Sequence, residues 1–136
     1  MNLGLILAQK GSLSEAEKEL RTAVKLDASN SAALTALAMV ENRLGHASAA
    51  IEHFRTVLTL TPASSEAYLN LGIALADQSD LEGALAAFTN SLKFAPDSAV
   101  AHYNRGRALF DLKRFEEAEP ELQSSVKLSP NYSAAL

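Results

Sequence analysis

The sequence predicts an all-α fold, an α-solenoid of antiparallel helix pairs. Three observations predict it. The first is an internal repeat: Tyr68, Leu71, Gly72, Leu75, Ala84, Phe88 and Pro96 return 34 residues later as His102, Arg105, Gly106, Leu109, Ala118, Leu122 and Pro130. Stepping back by 34 gives Leu34, Leu37, Ala38, Glu41, Ala50, Phe54 and Pro62, and a further step gives Leu3, Gly4, Leu7, Ala16 and Leu20, with Ala28 in the Pro slot. No insertion breaks the register, and a fixed period of this size marks a repeat architecture. The second observation is helix punctuation at the same interval. The third is an Ala-rich, Trp-free composition suited to closely packed helices.

Taken in order, residues 1–10 read as the tail of a first helix, followed by a turn at Gly11 and Ser12. Ser12 and Glu15 have the spacing of a capping box, in which hydroxyl and carboxylate satisfy free helix amides. A second helix is expected over about 13–26. Asp27 to Asn30 interrupts the pattern, and a third helix follows over about 31–44. Gly45 ends it, because Gly tolerates the left-handed conformation at a helix C-terminus. The next helix spans about 47–60 and stops before Pro62, since the residue preceding a proline is disfavoured in the helical region. The same grammar predicts helices near 65–77, 81–94, 99–111 and 115–128, with Asp80 as N-cap of the 81–94 helix. Pro120 breaks a local rule by removing a donor and crowding the Glu116 carbonyl, so a kink near the start of the last helix is expected.

These elements form one array: repeat 1 over 1–30, clipped at its start, repeat 2 over 31–64, repeat 3 over 65–98 and repeat 4 over 99–132. Ser133 to Leu136 opens a fifth repeat in register. The clipped start and the short final stub lead us to expect an excerpt from a longer array, with apolar edges that invite end-to-end self-association.

A net charge of −4 argues against a phosphate-binding surface, so no nucleic acid is expected as partner. The absence of Cys excludes disulfides and thiolate metal sites. The apolar run Leu3 to Ala8 is too short to span a bilayer and lacks a basic leader, which leaves a cytoplasmic location as the default. His46, His53 and His102 show no metal-ligand spacing. His102 occupies the Tyr68 slot, which points to packing. No Ser sits in a nucleophile elbow, and the Gly residues serve turns and close packing. We therefore expect no enzyme, cofactor or metal.

On a helical wheel, Tyr68, Leu71, Gly72 and Leu75 share one side, while Glu66, Leu69, Asn70, Ile73 and Asp77 share the other. The first side is the core face, where Gly72 against Ala84 and Gly106 against Ala118 are expected to let paired helices approach. No pair can bury its apolar face alone, so neighbours stack.

The run Tyr68-x-x-Leu71-Gly72-x-x-Leu75, with Ala84, Phe88 and Pro96, resembles the tetratricopeptide repeat, over essentially the whole chain. Glu41 in an aliphatic slot, Ala38 in a Gly slot and Arg105 in a Leu slot depart from the pattern and question local packing in two repeats. The resemblance implies a right-handed superhelix whose first helices line a concave groove that receives a partner's peptide or helix. Carried over by register, the groove is expected to include Asn2, Leu5, Met39, Leu69, Asn70, Ile73, Tyr103, Asn104 and Arg107, with Asp77 and Asp111 on the same face.

Asn2, Asn70 and Asn104 share a slot. Their amides either bond a bound backbone or bond water and a neighbouring helix. Leu5, Met39 and Ile73 form an apolar series that either binds a partner or is covered by curvature. The acidic-peptide clamp of some resembling arrays needs a Lys on this face, and Thr35, Ala36 and Met39 stand there instead. Arg105, Arg107, Lys113 and Arg114 gather near one helix end, beside Glu116 and Glu117. The function expected is a protein–protein interaction scaffold. The alternatives are a substrate-recruiting module of a larger enzyme, such as a glycosyltransferase, and a self-assembling structural segment.

Overall fold

The structure, a computed structural model, describes residues 3–129, with side chains from Gly11 onward. Seven helices follow one another and no strand occurs among the described residues. They are α1 (Leu3–Leu26), α2 (Ser31–Arg43), α3 (Ala47–Leu60), α4 (Ser65–Asp77), α5 (Leu81–Phe94), α6 (Ala99–Asp111) and α7 (Phe115–Leu128). From α2 onward the observed ends fall within one residue of those expected. The chain divides into two compact units, 1–62 with α1 to α3 and 63–136 with α4 to α7.

The helices begin and end by rules that repeat with the sequence. Asn30, Ser64 and Ser98 cap α2, α4 and α6, each side-chain oxygen accepting from the backbone amide three residues on, at 3.1 Å in every case. Asp80 caps α5 as expected, accepting from the Gly83 amide at 3.0 Å. At the other end, Gly45, Ser79 and Lys113 follow α2, α4 and α6 in the left-handed region, with φ of 86°, 65° and 64°. Each of these residues donates to the carbonyl three back, and the next residue donates to the carbonyl five back. Gly45 and His46 reach Asn42 and Glu41 in this way, and Ser79 and Asp80 reach Ala76 and Leu75. This is the Schellman closure, and it makes the sharp turn into the second helix of each pair.

One expectation fails. Gly11 occupies the Gly45 slot, yet no turn forms there: α1 runs unbroken through Gly11 and Ser12. Ser12 and Glu15 are therefore interior helix residues, both exposed, and the capping box does not exist. The physical reason is that turning costs a helix two new ends. At Gly45 that cost is offset because α2 and α3 then pack together. A single long helix keeps every backbone bond instead. Pro120 also lies inside an uninterrupted α7, so the helix continues across it.

In unit 1, α2 packs against both α1 and α3. Leu34, Leu37, Ala38, Ala50, Phe54 and Val57 form its dry interior. Glu41 lies among them with no exposed surface. Its carboxylate accepts from Nδ1 of His53 on α3, and its second oxygen lies 3.5 Å from Arg21 on α1. Arg21 also meets Glu17, which accepts from Nδ1 of His46 at 3.0 Å. That hydrogen bond holds the Glu17 carboxyl below the usual carboxylate range against the opposing effect of burial, with the Arg21 charge adding to the lowering.

In unit 2, α5 packs between α4 and α6, and α6 against α7. Leu71, Gly72, Leu75, Ala84 and Phe88 are buried as expected. The close neighbour of Gly72 is, however, Phe88 and not Ala84: a Cβ on Gly72 would stand 2.5 Å from the Phe88 ring. Gly106 likewise faces Leu122, the Phe88 counterpart, at 2.9 Å. The small residue accommodates the large residue of the partner helix, which is why the pair can be close yet filled. Ser91 donates to the Ser65 carbonyl at 2.9 Å, tying the end of α5 to the start of α4. Tyr68 stacks on Phe94, ring centroids 6.0 Å apart.

Candidate partner-binding groove

The groove face can be followed on α4 and α6, both in unit 2. Ala67, Leu71, Ala74 and Leu75 turn into the core, which leaves Leu69, Asn70 and Ile73 half-buried on the rest of α4. On α6, Ala101, Ala108 and Leu109 are buried, Tyr103 and Asn104 are half-buried, and Arg107 is exposed. Met39, on α2 in unit 1, is 42% exposed, a large apolar side chain that its own unit does not cover. Asn2 lies outside the described residues, and Leu5 is described by its backbone alone.

Between α4 and α6 the surface sinks into a cavity of about 170 Å³. Ile73, Ala76 and Asp77 line it from α4, and Asn104, Arg107, Ala108 and Asp111 from α6. Leu81 and Phe88 of α5 complete the lining. Three of the expected site residues, Ile73, Asn104 and Arg107, therefore meet at one place. Asp77 and Asp111, which share their face, meet there too. Leu69, Asn70 and Tyr103 lie on the same helices without lining this cavity.

The sequence reading missed the apolar walls. Phe88 is read there as a packing residue alone, and Ala76, Leu81 and Ala108 go unremarked. The signal was present, since Ala74 and Ala108 are 34 residues apart, as are Ala33, Ala67 and Ala101, and all five are buried. Small residues there let first helices lie close to their neighbours.

The Asn slot is more committed than a free ladder would be. The Asn104 amide nitrogen donates to the Val100 carbonyl at 2.8 Å, within its own helix, so its oxygen and second hydrogen are what it can offer a ligand. The expected basic cluster is dispersed. Arg105 donates to Glu121 at 2.7 Å and to Thr89 at 3.0 Å, and Arg114 grips Glu117 through two nitrogens at 2.6 and 3.1 Å. The Arg114 hydrogen bond draws the Glu117 carboxyl below its ordinary value, and Glu117 in turn raises Arg114. Arg107 alone of the set reaches the cavity rim. His102 has a packing role: its Nδ1 meets Glu121 at 2.7 Å and its Nε2 the Pro96 carbonyl at 2.8 Å.

Comparison with known proteins agrees with the fold. Tetratricopeptide-repeat profiles match residues 1–30, 35–99 and 69–133. The chain is a tetratricopeptide-repeat protein. Its fold is similar to that in a crystal structure of MamA, with a TM-score of 0.84 at 23% identity over 96% of this chain and 76% of that one. A second MamA crystal structure aligns with a TM-score of 0.81 at 20% identity, covering 97% and 72%. The PilF structure from Pseudomonas aeruginosa aligns at 0.81 and 26% identity, covering 95% of this chain and 59% of that one. No curated protein matches by sequence. The structural likenesses show an all-α helical-repeat fold, and membership of the family supports the general role of a protein-interaction scaffold. No described helix is long and apolar enough to cross a membrane.

Proposed function

We propose that this repeat protein is a scaffold whose first-helix face binds a peptide or helix of a partner protein, with the α4–α6 cavity as its anchoring point. The observation that supports this reading is the convergence of Ile73, Asn104 and Arg107, chosen from sequence register alone, on one cavity with an apolar wall and a polar rim. Such a combination is what ligand sites share: apolar contact area for affinity and a few polar groups for orientation. Tyr103 and Arg107 are the expected anchors, since Tyr and Arg are enriched among residues that dominate binding energy. Asn70 and Asn104 orient a backbone more than they add affinity, because a neutral hydrogen bond nets only about 0.5–1.5 kcal/mol. Leu69 extends the apolar surface on α4, and Met39, Asn2 and Leu5 take slots of the same proposed face by register. The test is the affinity of a captured partner for the full chain, measured again with Ile73→Asp and Tyr103→Ala and with the exposed α5 residue changed by Glu82→Ala as control. Loss with the first two and none with the third is expected. Full affinity in folded groove variants would overturn the reading.

A second reading is favoured by a separate surface. On α6 and α7, Phe110, Phe115 and Val126 are 55%, 52% and 46% exposed around an open apolar concavity of about 350 Å³. Phe110 and Phe115 hold each other edge to face at 5.1 Å. In the preceding pair the corresponding face of α5 is covered by α6. We infer self-association through this face, expected as a concentration-dependent mass in sedimentation that Phe115→Asp abolishes. A mass that stays monomeric at high concentration would refute it.

A further inference from the structure

We propose that α7 of one copy takes the place of α1 on α2 of a second copy. The proposal rests on the reading that the α6–α7 face joins copies of this chain. It adds which surface of the second copy that face meets. Three observations carry it.

The first is a copied face. α1 packs on α2, and its Leu13, Ala16, Glu17, Leu20 and Val24 are half-buried while Ser14, Glu15, Lys18 and Glu19 are exposed. Three 34-residue periods later the same slots hold Phe115, Ala118, Glu119, Leu122 and Val126, which line the open concavity on α7. Only the first of these five slots differs in residue type. α3 and α5 carry Ile51 and Leu85 where α1 and α7 carry Glu. The α7 face is therefore built like the one that α2 already covers.

The second is the carboxylate inside that face. Covering it is costly unless the covering element brings a partner. α2 brings one, since Glu17 accepts from Nδ1 of His46, in the turn that follows α2, at 3.0 Å. Within its own helix Glu17 also accepts from Arg21 at 3.5 Å, and Glu119 likewise from Gln123 at 3.3 Å. Among the described residues Glu119 has no counterpart of His46. The His46 slot after α4 holds Asp80, which has the wrong sign, and after α6 it holds Arg114, which Glu117 grips. Of the first helices, α2 has the turn that suits Glu119.

The third is the balance of the exchange. The α1 stripe is only half-buried in its own copy, and Phe115 in place of Leu13 offers α2 more apolar area. Against this, α7 carries Gln123 where α1 carries Arg21, which lies 3.5 Å from Glu41. Gln123 supplies an amide donor there but no charge. α7 and α2 are different surfaces, so the contact is heterologous: it runs on from copy to copy or closes between two that exchange.

The chain has no Cys, so single cysteines report single contacts. The experiment mixes full-length Glu119→Cys and His46→Cys variants and treats them with a short bismaleimide linker. We expect covalent dimers that join the two variants, lost when Phe115→Asp is added to the first. Sedimentation of Arg21→Gln, which handicaps α1 alone, is expected to show assembly strengthened about 2–5-fold, as for a partly exposed charge pair. Dimers formed by Glu119→Cys with itself and not with His46→Cys would overturn this inference, placing α7 on α7 and leaving self-association intact. So would assembly that neither links to His46→Cys nor strengthens with Arg21→Gln. A monomeric mass at high concentration would end the self-association reading and this inference with it.

Discussion

The α2–α3 pair and the α4–α5 pair are the same sequence pattern 34 residues apart, yet their seams are built from different chemistry. In α4–α5 the seam is dry: Leu75 and Ala87 are buried among Leu71, Ala84 and Phe88. In α2–α3 the same two slots hold Glu41 and His53, which bond each other, and Arg21 reaches in from α1. The α6–α7 pair makes a third version, with Leu109 restored and Glu121 in the His53 slot, gripped by His102 and Arg105. The backbone tolerates all three, which shows that the repeat specifies spacing and the size of each slot more strongly than polarity. What a polar seam adds is selectivity. A helix can cover Glu41 without penalty only if it brings a cation, as α1 does with Arg21.

The largest expected effect breaks the polar seam. We predict that His53→Ala costs about 3 kcal/mol, because it leaves a fully buried carboxylate with one long ion-pair contact. Glu41→Leu, which copies Leu75 and Leu109, is expected to be neutral or stabilising by about 1–4 kcal/mol. In the Glu41→Leu background, His53→Ala should then cost much less. Denaturant melts of the four variants measure the coupling, and additive effects would show that the pair does not act together.

Next comes packing inside the pairs. Gly72→Ala should cost on the order of 1–3 kcal/mol, since its Cβ would meet a buried aromatic ring at 2.5 Å. Gly106→Ala meets Cδ2 and Cγ of Leu122 at 2.9 Å, on a half-buried aliphatic side chain with more room to yield than a buried ring, and it gains about 1 kcal/mol of helix propensity. It should come out near zero. Equal losses at the two sites would contradict this account of the seams.

Smaller still are the turns. Ser79→Gly and Lys113→Gly should each stabilise by about 0.5–1 kcal/mol, because both residues hold a left-handed conformation that Gly45 adopts without steric cost. The smallest effect is one of pH. The Glu17 carboxyl is held low in the folded chain, so its contribution is present above the unfolded value and is lost as pH falls through the folded one. Below about pH 4 the α1 contact should weaken, and Glu17→Gln should remove that part of the acid sensitivity. Hydrogen exchange in α1 and α2 measures it.

How much of this was legible depended on whether a signal was local or repeated. Six helices, the Gly45 turn and the Asp80 cap followed from spacing and turn chemistry. Gly11 carries the same local signal as Gly45 yet stays helical, so a lone Gly does not decide between a turn and a continuous helix. Glu41 read as a fault in an aliphatic slot, since its partners Arg21 and His53 lie 20 and 12 residues away and no periodicity links them. In the groove, the outward face of α4 and α6 was legible from the wheel. The cavity was not, because its wall includes Leu81 and Phe88 from α5, residues whose sequence slot says only that they pack.

The central claim is that the α4–α6 cavity anchors a partner. Amide and methyl chemical-shift mapping of the full chain with a peptide of a captured partner tests it most directly. The account predicts the largest shifts at Ile73, Asp77, Asn104, Arg107 and Asp111, with α3 unmoved. Shifts confined to the apolar face at Phe110, Phe115 and Val126 would contradict it.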